Sequence, residues 1–443
     1  MCTGHSISVT INLRIIYFMP PYQNIMQNVM TKKRRSLTIL LLGLLTTIVP
    51  FSIDMYLPGF PDIAESMNVT SAKVALSLSS FFVGIGLGQL LYGPLLDRFG
   101  RKKPLYAGLL LYFICSIGCA YAVSIETLIL LRFIQAIGAC SASIAATAMV
   151  RDLFPPEENA KIFSILILVL SVSPMLAPTI GSYLSEAFGW QSIFILLTIL
   201  GVLICLGVFF FLPESKSSDK NFSLKPPAII KNYLLVIGEP YFIFYAFIGA
   251  LGFASLFTYI ASSPTVFMEH FSLTQKQYGL VFAVLASGLI LASQINTVLL
   301  KKFKSESIIV TSVAFQNGIG VLLLLLSFLE LNNFWLIVSL LFFYLSTIGM
   351  VMPNATALAM KPFEKNAGSA SSLLGFIQMG LGALATIAIG ILNIKTVLPM
   401  ATSMVACSLL NLGLAAWSIK FFQRKKIMEA AAITKEHTSL NRF

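Results

Sequence analysis

Twelve stretches of this sequence run for about 20 residues or more with almost no charge, long enough to cross a hydrocarbon layer of about 30 Å. They lie at 37–58, 74–96, 104–124, 127–149, 162–184, 190–213, 240–262, 277–299, 307–329, 334–358, 368–392 and 396–419. A water-soluble core cannot absorb them. Of the 443 residues 57% are hydrophobic and only 11% charged, against roughly 25% charged in globular proteins. The surplus must face lipid, where each helix satisfies its own backbone polar groups, so the expected class is an all-α membrane protein with 12 transmembrane helices. Disorder, a secreted disulfide scaffold and a water-soluble enzyme are excluded.

Charge gives the direction of crossing. All but four of the 30 Lys and Arg fall in the termini and alternate loops of one side; the exceptions are Lys73, Lys276, Lys395 and Arg132. Cytoplasmic loops retain positive charge, so both termini are expected in the cytoplasm. A net charge of +12 placed beside apolar runs also fits lipid head groups, as at Arg424-Lys425-Lys426, and not nucleic acid. The expected organisation is a disordered cytoplasmic extension at 1–36, a six-helix bundle at 37–213, a cytoplasmic central loop at 214–238, a second bundle at 239–422 and a basic tail at 423–443. Met30, followed by Thr31-Lys32-Lys33-Arg34-Arg35, reads as a natural translation start. Two six-helix halves place a substrate site between them near the bilayer midplane.

Only two charges lie inside the spans, Asp54 in the first and Arg132 in the fourth. Each costs several kcal/mol if unpaired, and both sit about 7 Å from the outer end of their helices. One reading is a permanent pair that fixes helix register. The other is an aspartate that exchanges a proton, its charged form favoured near Arg132 in one conformation and disfavoured in the other. One proton crossing ~100 mV supplies ~2.3 kcal/mol, enough for about a fiftyfold gradient of a neutral solute.

Other chemistry is absent from the sequence. Cys115 and Cys119 stand one helical turn apart with no histidine nearby and read as small apolar residues, so no metal site is expected. Gly84-Ile85-Gly86-Leu87-Gly88-Gln89 lacks the last glycine of a dinucleotide loop and reads as helix packing. No G-x-x-x-x-G-K-[ST] loop occurs, so a proton gradient, and no bound cofactor, is the expected energy source.

Gly93-Pro94-Leu95-Leu96-Asp97-Arg98-Phe99-Gly100-Arg101-Lys102-Lys103 resembles the G-x-x-x-D-[RK]-x-G-[RK]-[RK] signature of the major facilitator superfamily, in the loop where that family carries it. Gly93 permits close helix approach, Gly100 a tight turn, and Asp97 is positioned to latch onto the positive end of span eleven near Asn366 to Gly368. Arg132-Phe133-Ile134-Gln135-Ala136-Ile137-Gly138-Ala139 resembles the fourth-span R-x-x-Q-G-x-G-A pattern, with Ala136 in place of a glycine. Span five, with Pro174, Pro178 and Gly181, looks like a degraded antiporter signature, suited to a bending helix that seals the halves.

Ser52-Ile53-Asp54-Met55-Tyr56-Leu57-Pro58, Ser262-Ser263-Pro264 and Met352-Pro353-Asn354-Ala355 narrow the resemblance to the bicyclomycin and chloramphenicol resistance (Bcr/CflA) branch of drug:proton antiporters, although Gln191 replaces its usual arginine. The resemblance implies two pseudo-symmetric bundles in the inner membrane, working as a monomer. It further implies export of small amphipathic molecules in exchange for protons by alternating access. Its cavity would draw on Met55, Tyr56, Gln135, Tyr245, Phe257, Tyr259, Tyr344 and Asn354 of spans one, four, seven and ten. A same-fold transporter of a metabolite or siderophore remains open. A membrane enzyme or sensor would need a polar catalytic cluster, and none is visible.

Overall fold

The computed structural model describes residues 31–219, 224, 226–363, 367–392 and 396–440. Among these there are no strands. The first half comprises α1 (Lys32–Asp54), the short α2 (Phe60–Ser66), α3 (Ser71–Phe99), α4 (Lys102–Ala120), α5 (Ile125–Leu153), α6 (Pro156–Phe188) and α7 (Gln191–Phe211). After α8 (Pro226–Ile237) come α9 (Pro240–Pro264), α10 (Gln275–Leu299), α11 (Ser305–Phe328), α12 (Phe334–Met360), α13 (Ala367–Leu392) and α14 (Val397–Leu440). Twelve of these segments are long and apolar enough to cross a membrane.

Local signals start and stop the helices. Thr70, Ser124, Thr274 and Asn333 cap α3, α5, α10 and α12 by accepting bonds from first-turn amides that have no partner within the helix. Gly100 ends α3 at φ +83°, a conformation that a side chain would strain.

Packing repeats between the halves. Counting spans within each half, the dominant contacts are first with fourth, fifth and sixth, second with fourth, and third with fourth and sixth, in both halves. The seam between halves is paired in the same way: α3 lies against α13, and α6 against α10. This is a twelve-helix fold of two pseudo-symmetric six-helix bundles.

Four local expectations are corrected. Helix α1 begins at Lys32, inside the stretch expected to be disordered, because Thr31 caps it and Arg35 pairs with Glu158 at the start of α6. The first span does not run unbroken to Pro58: α1 ends at Asp54, and a 3-10 turn (Leu57–Gly59) leads into α2. The central loop contains α8, an apolar segment too short to span, held by Tyr233 Oη donating to the Leu90 carbonyl at 3.2 Å. The stretch read as a tail from 423 continues α14 as helix to Leu440. Met30 and Asn366 lie outside the described residues.

Candidate functional site

Asp54 sits where α1 breaks, 4% exposed, and its carboxyl group makes no hydrogen bond or ion pair with any described residue. It lines a cavity of about 130 Å³ whose other walls are Pro174 of α6, Leu256, Tyr259 and Ile260 of α9, Phe282, Leu285, Ala286, Leu289 and Ile290 of α10, and Leu345 of α12. Asp54 therefore faces the other half of the molecule. The Tyr259 hydroxyl is buried there without a hydrogen-bond partner.

Arg132 points elsewhere. Fully buried in the first half, it donates to Gln135 Oε1 at 2.8 Å and to the Ser52 carbonyl at 2.9 Å. Its guanidinium lies 4.1 Å from the Phe81 ring centre, 4.7 Å from that of Tyr56 and 5.8 Å from that of Phe194. Nε has no partner, and no carboxylate of a described residue pairs with this cation. Ser52 and Tyr56, four residues apart, share one face of the chain at the end of α1. Asp54, two residues from each, is turned half a revolution away. In this structure Asp54 and Arg132 are not a pair, so a register-fixing ion pair is absent from this state.

The other expected cavity residues divide sharply. Tyr259 shares the Asp54 cavity. Tyr56 bonds Ser77 at 2.8 Å, and Gln135 donates to Ser116 at 2.7 Å while holding Arg132. Tyr344 donates to the Met404 carbonyl at 2.7 Å, and Asn354 to Asn296 Oδ1 at 2.7 Å. Met55 is fully buried beneath Gly181, Tyr245 packs beside Phe422, and Phe257 stacks on Phe82 across the seam at 3.9 Å. These side chains hold helices together and do not line the cavity with Asp54.

Both ends of the molecule bear on access to this cavity. At the end opposite the cationic loops, Asp62 Oδ2 of α2 accepts from Ser185 of α6 and from Gln275 Nε2 of α10, each at 2.8 Å. Ser182 donates to the Gln275 carbonyl at 2.9 Å, and Lys276 pairs with Glu186 at 3.0 Å. The two halves are thus tied together at that end. Gly181 lies so close to the Met55 carbonyl that a Cβ would collide with it, which lets α6 close over the break in α1. Pro174 and Pro178 stand on the same helix, Pro174 in the cavity wall and Pro178 against Gly279 of α10. Toward the basic end the α1 face that carries Asp54 is progressively uncovered, from 9% at Thr47 to 37% at Leu44 and 57% at Leu40.

At the basic end, the signature loop ties the first half together. Arg101 donates to both oxygens of Asp152 on α5, at 2.7 and 3.4 Å, and to Asp97 at 3.2 Å. Burial works to lower the Arg101 pKa, but the bonds and charges of Asp152 and Asp97 outweigh it and raise it. Glu214, just after α7, accepts from the Arg101 and Lys102 amides at 2.8 and 3.1 Å. Asp97 also binds Lys216 at 2.8 Å, and Arg98 donates to the Asp219 carbonyl at 3.0 Å. In this state Asp97 is thus held by Arg101 of its own half and Lys216 of the central loop; the Asn366 part of its expected latch partner lies outside the described residues. Gly93 does meet the other half, facing Ser372 Oγ of α13. Asp152 and Glu214 escaped the sequence reading, whereas Lys216 entered it only as one of the cations of the basic side. The signal of the two acids was available: acidic residues beside loops otherwise rich in Lys and Arg.

No group of three or more His, Cys, Asp or Glu able to hold a metal occurs among the described residues. Gly84 and Gly88 pack α3 onto α5, against Phe133 and Ala136 and against Cys140, while Gly86 between them faces Phe376 and Met379 of α13 across the seam.

Comparison with known proteins places this geometry. The Major Facilitator Superfamily model matches residues 42–387. The Bicyclomycin resistance protein homolog of Haemophilus influenzae is 30% identical over 86% of this chain and 95% of its own. The Chloramphenicol resistance protein of Pseudomonas aeruginosa is 29% identical over 86% of this chain and 90% of its own. The Multidrug resistance protein MdtL of Citrobacter koseri is 30% identical over 76% and 84% respectively. Among solved structures, a D-xylose-proton symporter matches with a TM-score of 0.70 at 15% identity, covering 87% of this chain and 98% of its own. A bacterial Spinster homologue in an inward-facing, occupied conformation matches at 0.68 and 15% identity, covering 88% and 97%. These two likenesses are of fold alone.

Proposed function

Because the chain belongs to the Major Facilitator Superfamily, with bicyclomycin, chloramphenicol and multidrug resistance proteins among its relatives, we propose that it exports small amphipathic drug-like molecules in exchange for protons. The work is done by a monomer in the cytoplasmic membrane, with both termini and the basic loops in the cytoplasm. The observation that carries the proposal is Asp54: a buried acid without counter-ion or hydrogen bond, facing an apolar cavity between two halves that rock. A carboxylate in such a place costs several kcal/mol, and carrying a proton removes that cost.

The cycle follows from the geometry. In the present state the outer end is tied by Asp62, Ser182 and Glu186 to Gln275 and Lys276, and the cavity is approached from the cytoplasm. Asp54 releases its proton on this side and substrate takes its place against Tyr259, Phe282 and Leu256. Aromatic and aliphatic walls accept varied apolar shapes because contact with them requires no fixed hydrogen-bond geometry. Rocking breaks the outer ties, and a proton from outside returns to Asp54 as substrate leaves. Arg132 stays within the first half, held by Gln135 and the Ser52 carbonyl and apart from Asp54 in this state.

Expression in a bacterium stripped of its own efflux pumps tests this reading against phenicols, bicyclomycin, sulfonamides and dyes. Raised tolerance to at least one compound, lost when the proton gradient is collapsed, is the expected result. Unchanged tolerance throughout, with a cell metabolite accumulating in a deletion strain, would replace drug export with metabolite transport.

A further inference from the structure

On the lipid-facing side of the second half, α10, α11 and α12 enclose a groove of about 540 Å³ that takes no part in the Asp54 cavity. That volume lies within the roughly 300–1,000 Å³ of ordinary ligand sites. Its walls are mostly apolar and open outward: Leu291, Ile295, Phe315 and Phe343 are each more than half exposed. Along α10 the groove runs from Gly288 to Leu299, about 16 Å at the helical rise, which is close to half of a 30 Å hydrocarbon core. It therefore spans one leaflet, from mid-membrane to the basic end.

The mouth is cationic. Beyond Leu299 the turn carries Lys301, Lys302 and Lys304, all exposed and none in an ion pair, with Phe303 between them on the groove wall. Ser307, also on the wall, adds a hydroxyl donor beside them. Glu306, the acid of the same turn, is partly buried and interacts with Tyr245 on α9. An apolar trough one leaflet long with three unpaired lysines at its interfacial end has one well-matched occupant.

We propose that this groove binds an anionic phospholipid, one acyl chain lying along α10 and α11 and the phosphate head group on Lys301, Lys302 and Lys304. The chain contributes apolar burial that any phospholipid would supply, and the lysines select for negative charge. The site is independent of the transported molecule and of Asp54.

Native mass spectrometry of the full-length chain released from detergent tests it, with phosphatidylglycerol and phosphatidylcholine of identical acyl chains as probes. The wild type should retain phosphatidylglycerol roughly tenfold more than phosphatidylcholine, given the attraction of lysines near a membrane surface for anionic lipid. The K301Q/K302Q/K304Q variant should lose that preference and keep its thermal midpoint. Thr311→Trp, which fills the groove from an exposed position, should lower retention of both lipids. Equal retention of the two lipids by the wild type, or a preference untouched by removing the lysines, would overturn the proposal.

Discussion

Removing the Asp62 carboxylate is expected to move the whole molecule toward its outward-open state. Asp62 makes two bonds of 2.8 Å with different consequences: the one from Ser185 stays within the first half, whereas the one from Gln275 crosses to the second. Only the crossing bond is broken when the halves separate at this end, so only it biases the equilibrium between facing states. A hydrogen bond to a charged group contributes about 1.5–3 kcal/mol, and the partial exposure of Asp62 reduces this to about 1–2. Asp62→Ala should therefore raise the outward-open to inward-open ratio roughly 5- to 30-fold. The ties from Ser182 and Glu186 remain, so closure is weakened and not abolished. Spin labels on the exposed Phe188, at the end of α6, and Leu329, just after α11, report the separation as a distance distribution. Ser185→Ala is the control: it removes the bond within one half and should leave that distribution unchanged. If the two variants shift the distribution equally, or neither does, the assignment of this cluster as the outer closure is wrong.

Two further outcomes follow from the packing. Arg101→Ala strips Asp152 of its bidentate partner and Asp97 of one of its two cations, and should lower stability by about 1–2 kcal/mol after allowance for the exposure of both acids, read as a lower thermal midpoint in detergent. Gly181→Leu forces α6 off the Met55 carbonyl, an overpacking cost of about 1–3 kcal/mol, and should show itself as loss of outer closure in the same label-to-label distances.

The spans were legible because lipid imposes a length and polarity that composition cannot hide. Helix α8 escaped because Pro226–Ile237 is too short for that test, and Lys231 and Asn232 interrupt it. The break after Asp54 left no hydropathy signal, since Met55, Tyr56 and Leu57 stay fully buried across it. Asp54 and Arg132 stood out as charges in oil, but their separation did not, because Arg132 is held by a backbone carbonyl, and backbone acceptors carry no residue identity. The same limit explains the cavity list. Residue type places Tyr344 and Asn354 on the right helices, but whether each looks inward or into a neighbouring helix depends on partners such as the Met404 carbonyl and Asn296. The acids of the basic end lay in plain sight, yet only the fold brings Asp152 and Glu214, more than 50 residues from Arg101, onto one side chain and its amide.

The central claim is that Asp54 carries the coupled proton, and proton release measured during transport tests it most directly. Proteoliposomes loaded with a pH-reporting dye and a drug from the susceptibility panel give both fluxes at once. Asp54→Asn matches the native side chain in size and breaks no hydrogen bond recorded in this structure, so it should fold and still exchange drug for drug down a gradient. The account predicts that it moves no protons with the drug and sustains no uphill export. A variant that still drives drug against its gradient while consuming the proton gradient would contradict it.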